Sequence, residues 1–328
     1  MYQLPRRLIG ALAFTAFLAG GSLAQSTFPT KTVTITLPVG TGGGTDLVAR
    51  RVAKALSDQW GQPVVVDNKP GASGIIGANV VIKSAPDGHN LLLVWDGPIV
   101  ATPVLFKRPD YEPLKQLLPI AQVTTQGYAV MVHPSVPAKN MTELIAHIKK
   151  KNADKEPFGF ATSSAGAADH LAGEVFRTMA GVELLTVNHF GTGPAILNVL
   201  GGHIPFGIFS FTAALPHIKT GALRAIAITS DKRSALLPDV PTVGETLPGY
   251  HYHSWIGVFA PLGMPESLRE RISRDIRAAV NSPDVTSVLM SNGLLPTLSD
   301  PATFTEFIRQ DAIRTAEVIR RAKLKVEQ

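Results

Sequence analysis

The 328-residue chain is 45% hydrophobic and 17% charged, carries a formal net charge of +6 and contains no cysteine. Its apolar content suffices for one large or two medium domains, and two is the expectation. The absent thiols exclude disulfide staples, thiolate metal sites and a cysteine nucleophile. Basic residues are dispersed, and the tight cluster Lys149-Lys150-Lys151 falls at a predicted helix end, where cations complement the dipole, so no nucleic-acid partner is expected.

Arg6 and Arg7 precede an apolar run from Leu8 to Ala19 and the small residues Ser22-Leu23-Ala24, the pattern of a secretory signal cleaved to remove residues 1–24. The run is shorter than the ~20 residues of a membrane span. Cleavage leaves Gln25 rather than cysteine in front, so no lipid anchor is expected, and loss of the two leader arginines lowers the net charge to +4. The expectation is a soluble, exported, mildly basic protein suited to anionic ligands.

Beyond the leader, short β-branched runs alternate with amphipathic stretches, the pattern of βα units on a largely parallel sheet. Val33 to Val39 is the first strand. Leu47, Val48, Val52, Ala55 and Leu56 then recur at helical spacing, so a helix begins at Thr45 or Asp46. Val64 to Val66 and Leu91 to Val94 are further strands of a first lobe. Ala129 to Val132 reads as a crossing strand, after which Asn140 and Glu143 are spaced as a capping pair. A second lobe follows, with strands at Phe158 to Ala161, Leu184 to Val187, Ile204 to Ile208 and Leu223 to Thr229. It has a helix near Leu171 to Met179, and Pro194 fits the first turn of another. The proline-rich passage Leu237-Pro238-Asp239-Val240-Pro241 runs towards Tyr250 as a return linker. A strand at Ile256 to Ala260 and three helices marked by Pro265, Pro283 and Asp300-Pro301 close the chain. Two crossings leave the first lobe discontinuous, residues 25–128 with 255–328, and give 129–254 to the second.

Four turns share one design: a strand ends, small residues follow and a helix begins, so that backbone N–H groups and the helix dipole face one point. They are Gly40 to Asp46, Lys69 to Gly74, Thr162 to Gly166 and Gly191-Thr192-Gly193. Glycine lets a ligand oxygen reach the backbone, and the C-terminal edge of an open α/β sheet is where ligands are expected. The first turn lacks the Gly-Lys-Ser/Thr ending of a phosphate loop, and Thr45 occupies the third glycine of a dinucleotide fingerprint, which disfavours nucleotides. Tight strand-to-helix packing alone is the alternative for any one turn. Neither G-x-S-x-G nor H-E-x-x-H occurs, Asp169-His170 near Ser163 is a weak triad, and His251 with His253 lacks further metal ligands, so no catalytic residue, cofactor or metal is assigned.

At these turns the chain resembles a known family. Phe28-Pro29 to Asp46, Gly61-Gln62-Pro63-Val64-Val65-Val66-Asp67-Asn68-Lys69-Pro70-Gly71, Pro86-Asp87-Gly88, His170-Leu171-Ala172-Gly173-Glu174 and Leu237 to Val243 together are similar to Bug-type receptors. These are the extracytoplasmic solute-binding proteins of tripartite tricarboxylate transporters. The resemblance implies an α/β, periplasmic-binding-protein-like fold of type II, with two lobes joined by two crossing strands around a ligand cleft. It implies a periplasmic monomer that closes by a hinge on a small carboxylate and works with large and small membrane subunits. Carried over by position, Gly42, Gly43, Gly44, Thr45 and Asp46 line one side, and Ser163, Ser164, Ala165, Gly166 and His170 the other.

Three departures bear on the ligand. His189-Phe190-Gly191 stands where the family often has Tyr-Lys-Gly, Ile208-Phe209-Ser210 where it often has Phe-Asp-Asn, and Trp95 where a small polar residue is common. If these face the cleft, stacking favours an aromatic carboxylate; if not, Trp95, Phe190 and Phe209 simply pack the lobes. Asp96 beside Trp95 conflicts with an anion unless it faces away or is protonated. The competing functions are a receptor that presents ligand to a sensor kinase and an α/β hydrolase.

Overall fold

This computed structural model describes residues 28–106, 108, 110–189, 191–321 and 324. The leader expected at 1–24 lies outside them. The chain opens as alternating β1 (Val33–Leu37), α1 (Gly44–Trp60), β2 (Val64–Asn68), α2 (Ile75–Ile82) and β3 (Asn90–Trp95). A π-helical turn over 97–101 runs into α3 (Thr102–Phe106), and α4 (Pro113–Gln116) leads into β4 (Leu117–Gln126). There follow β5 (Tyr128–Val132), α5 (Met141–Ala153), β6 (Gly159–Thr162), α6 (Ala168–Ala180), β7 (Leu185–Asn188), α7 (Thr192–Leu200), β8 (Phe206–Ser210), α8 (Phe211–Lys219) and β9 (Arg224–Ile228). After the irregular return come β10 (Ser254–Pro261), α9 (Glu266–Val280), α10 (Pro283–Ser291), β11 (Leu294–Ser299) and α11 (Pro301–Arg321).

Two strands were not expected. β4 buries polar Gln122 and Thr124 and contains Pro119, so its composition hides it; β11 is an edge strand that carries Pro296 and is mostly half-exposed. The predicted cap is present, with the Glu143 amide donating to Asn140 Oδ1 at 2.9 Å.

The strands form two sheets, β11-β4-β10-β3-β1-β2 and β7-β6-β8-β5-β9. In the first, β1 runs parallel to β2 and β3, and β10 runs antiparallel to β3 and β4. In the second, β6 runs parallel to β7 and β8, and β5 runs antiparallel to β8 and β9. The direct crossing is Gln126-Gly127-Tyr128. The return ends where the Tyr252 amide donates to Thr229 O at 2.8 Å and β10 begins.

These registers fix the position of the cleft. Ser254 pairs with Gln126 and Ile256 with Trp95, so both crossings leave the first sheet at the edge where its parallel strands end. Tyr128 pairs with Ser210 and Ala129 with Ile228, so they enter the second sheet at the equivalent edge. The two C-terminal edges therefore face each other, and every strand-to-helix turn of both parallel sets opens on the space between them.

Apolar faces of α1, α9 and α10 cover one side of the first sheet, where Val33, Ile35 and Leu37 are fully buried. Trp255, Phe259 and Phe304 pack the other side. The second sheet is filled around Phe160, Phe206 and Ile208 on one face and Met131 and Phe209 on the other. Although residues 255–328 were expected to stay with the first lobe, α11 starts there through Phe304 and Ile308 and reaches the second lobe's core through Val318 and Ile319.

Candidate ligand cleft

The first turn is built by an acid that folds back on it. Asp46, in the first turn of α1, is buried; its Oδ2 accepts from the Gly42 amide at 3.0 Å and from Arg50 Nε at 2.9 Å. Its Oδ1 accepts from Asn68 Nδ2 at 3.1 Å. Burial alone raises this carboxyl's pKa, but the Arg50, Gly42 and Asn68 hydrogen bonds overcome it and hold the pKa below the ordinary range. Asp46 thus shapes the turn instead of lining the cleft as expected. Gly42 has a φ of 89°, open to glycine, and Gly43 caps α1 with no side-chain hydrogen bond. Gly42 and Gly43 are exposed, and Gly44 and Thr45 half-buried, at the head of α1.

The second lobe repeats the device. Asp169, in the first turn of α6, accepts from the Ser163 amide, from Ser163 Oγ at 2.8 Å and from the His170 amide at 3.0 Å. Burial comes first among its influences and leaves the carboxyl raised. Gly166, at φ 76°, donates its amide to His170 Nδ1 at 2.8 Å. That bond puts the imidazole proton on Nε2, which lies 3.7 Å from Glu174 Oε1. His170 is therefore a buried brace under the turn and does not face the cleft as expected. Ser164 is exposed, Ala165 half-buried, and Ala167 caps α6 without a side-chain bond. Ser163 gives its proton to Asp169, which ties the serine side chain to the turn.

The third and fourth turns are tied together: the Gly191 amide donates to Ser163 O at 2.8 Å and the His189 amide to Thr162 O at 3.0 Å. Gly191 has a φ of 114° and caps α7, again without a side chain. Ser210 caps α8 in the same way. Phe190 lies outside the described residues.

Two expected cleft residues are placed elsewhere. Phe209 has 0% exposure and its ring lies 2.3 Å from where a Cβ on Gly207 would stand, so it is core packing with no surface for a ligand. Asp96 is buried and accepts from Ser254 Oγ behind the cleft. Burial, then the nearby Asp311 charge, pushes its carboxyl up to about 7. Trp95 keeps a partly open ring; a Cβ on Gly97 would stand 2.6 Å from its Nε1, so glycine is what lets the indole lie against this backbone. Whereas Trp60 and Trp255 donate to Asp275 and Asp311, the Trp95 N–H has no acceptor among the described residues.

The lobes touch at two matching places. A Cβ on Gly44 would lie 3.4 Å from Thr212 Oγ1 of α8, and one on Gly166 would lie 2.1 Å from Leu105 Cδ1 of α3. In each lobe the glycine turn after the first parallel strand of its set meets the helix after the third strand of the other set. Thr212, Leu105 and Gln126 escaped the sequence reading, although Thr212 begins a helix after a strand and so obeys the same rule. The product is a cleft bounded by uncapped helix starts from both lobes, with partial positive charge on each and the adjacent acids turned inward. Such a geometry suits an anion. Among the described residues no cluster of three His, Asp or Glu side chains is arranged for a metal.

Comparison with known proteins identifies the family and the fold. Residues 48–324 match the model of the tripartite tricarboxylate transporter family receptor, TctC. The protein BugT of Bordetella pertussis is 33% identical over 97% of this chain and 98% of its own. The solved structure of R. palustris Rpa4515 with adipate superposes with a TM-score of 0.83 at 28% identity, covering 91% of this chain and 99% of that one. MatC from Rhodopseudomonas palustris with bound malate gives 0.78 at 28% identity, over 89% and 100%. The family and these neighbours are solute-binding proteins and not enzymes. The chain belongs to the tripartite tricarboxylate transporter receptor family, as a Bug-type periplasmic solute-binding protein of two α/β lobes.

Proposed function

We propose that the protein captures a small carboxylate between its lobes and delivers it to the membrane subunits of a tripartite tricarboxylate transporter, acting as a monomer exported by a cleaved signal. The carrying observation is that helix starts without side-chain caps open on one interlobe space from both sides, while Asp46 and Asp169 fold away from it. The adipate and malate bound by the two R. palustris proteins support a carboxylate ligand. Ligand-binding residues are then Gly42, Gly43, Gly44, Thr45, Ser163, Ser164, Ala165, Gly166, His189, Gly191 and Ser210, with Trp95 at the rim.

An aromatic carboxylate is the finer proposal, and after the burial of Phe209 it rests on Trp95. A stacked ring contributes ~0.5–1.5 kcal/mol beyond area burial, and the unpartnered indole N–H adds a donor. Calorimetric titration and thermal shift with benzoate, adipate, malate and citrate test both parts, because a ligand of the native state raises the melting temperature by mass action. Saturable binding of at least one is expected, with benzoate weakened by Trp95→Ala. Silence from the whole panel at millimolar concentration overturns the receptor reading; binding of citrate alone overturns the aromatic one. Loss of uptake of the bound carboxylate in cells lacking this receptor tests delivery, and unchanged uptake counts against it.

A further inference from the structure

A second cavity lies beside the first crossing and is lined by none of the glycine turns. It encloses about 540 Å³ between Thr125 to Gly127 of the crossing, Met290 to Leu295 of the first lobe and Ser230 to Leu236 of the second. That volume is in the range of small-molecule sites, roughly 300–1,000 Å³.

Its walls are unusual for a solvated surface. Leu236 of the second lobe and Met290 and Leu295 of the first are 38%, 45% and 49% exposed and all line this one cavity. Convergent exposed apolar groups of this kind mark binding surfaces. Buried Phe211 supplies the floor, and glycine admits it: a Cβ on Gly127 would stand 3.2 Å from its ring and one on Gly293 would stand 2.4 Å from its Cβ. The next residue separates the cavity from the carboxylate cleft, since Thr212 Oγ1 donates to Asn292 O at 2.9 Å and abuts Gly44.

The mouth carries an uncommitted cation. Arg233 is held by Glu245 through hydrogen bonds of 2.9 and 2.7 Å, and Asp231 lies 4.0 Å from His251. Lys232 has no ion-pair partner among the described residues, and its carbonyl is fixed by Ser230 Oγ at 3.0 Å. We propose that this cavity is a second ligand site for an amphipathic monocarboxylate, whose apolar body packs on Leu236, Met290, Leu295 and Phe211 while its carboxylate meets Lys232. Because the walls belong to both lobes and meet at Gly127, its occupant senses the angle between them, and by linkage its affinity is coupled to that of the cleft.

Octanoate is the probe, followed by the NMR signal of the Met290 methyl group. A saturable displacement of that signal is expected. Leu236→Ser and Leu295→Ser, both at exposed positions where folding is not at stake, each weaken octanoate about fivefold, as loss of one apolar contact implies. Lys232→Gln weakens octanoate but leaves octanol unchanged. Gly43→Asp, which alters only the carboxylate cleft, leaves the displacement intact, so failure of the receptor reading and failure of this one remain distinct. A Met290 signal that does not move, variants that bind octanoate as the unmodified protein does, or loss of the effect in Gly43→Asp each overturns the proposal. Octanol binding as tightly as octanoate overturns the role of Lys232.

Discussion

Gly43→Asp puts the anion-binding role of α1 against its structural role. Gly43 is extended at φ −86°, ψ 175°, and nothing stands within 4 Å of a Cβ placed on it, so an aspartate fits without strain. At this cap the new carboxylate accepts from the first-turn amides, which is favourable over glycine by a few tenths of a kcal/mol. The helix dipole adds ~0.3–1 kcal/mol, partly offset by nearby Asp46. The same carboxylate sits where a ligand's anion belongs. Two charges ~4 Å apart repel by ~1 kcal/mol in bulk water and ~4 kcal/mol at the effective dielectric of a protein surface, so affinity should fall at least about fivefold and up to about a thousandfold. Thermal melts with and without the best carboxylate of the panel read both effects. The unliganded variant should melt at or above the parent temperature and show no ligand-induced rise. A variant that retains the parent's rise, or that melts several degrees lower, refutes the claim that these amides are reserved for an anion.

The raised Asp96 carboxyl keeps its proton in the folded state over a range where the unfolded chain has lost it, so its contribution to stability falls as pH rises from about 4 to about 7. A tenfold change in proton affinity is worth about 1.4 kcal/mol, which gives a penalty on the order of 4 kcal/mol at pH 8, and Asp96→Asn should flatten the decline seen by denaturant unfolding between pH 5 and 8. An unchanged slope would show that Asp96 is not the responsible group. Phe209→Ala should cost ~3–5 kcal/mol of stability and leave ligand affinity of the folded fraction unaltered, the signature of core packing as opposed to stacking; a calorimetric loss of affinity at equal folded fraction would contradict this. Gly166→Ala combines a left-handed φ of 76° with a Cβ 2.1 Å from Leu105 Cδ1, so it should lower the melting temperature. Leu105→Ala should relieve the part due to contact; absence of any rescue would place the whole cost in the backbone.

Sequence periodicity exposed most of the strands and helices because their core faces are apolar at regular spacing, as at Val48, Val52 and Leu56 of α1. It missed β4, where Gln122 and Thr124 are buried beside Pro119, and β11, whose residues are mostly half-exposed. Turn chemistry located the glycine turns, since Gly42, Gly71, Gly74, Gly166 and Gly191 all adopt positive φ. Side-chain direction was beyond its reach. Asp46, Asp96 and His170 are polar and near the expected site, yet each is held by groups of its own fold, Asp46 by Gly42, Arg50 and Asn68, Asp96 by Ser254 and His170 by Gly166, and Phe209 lies on β8, whose two faces are both covered. A strand packed on both faces carries no alternation that would mark which of its side chains meets a ligand.

Helix α11 makes the receptor stiffer than a pair of bodies joined by two peptide strands. It is 21 residues long, about 30 Å, with Phe304 and Ile308 embedded in one body and Val318 and Ile319 in the other. A rod fixed at both ends does not bend to follow a large swing, so any hinge motion would be limited to what sliding of the Val318 and Ile319 contacts allows. Shortening the chain before Val318 would therefore lengthen the stroke, and a distance label across the mouth would broaden while each body stayed folded.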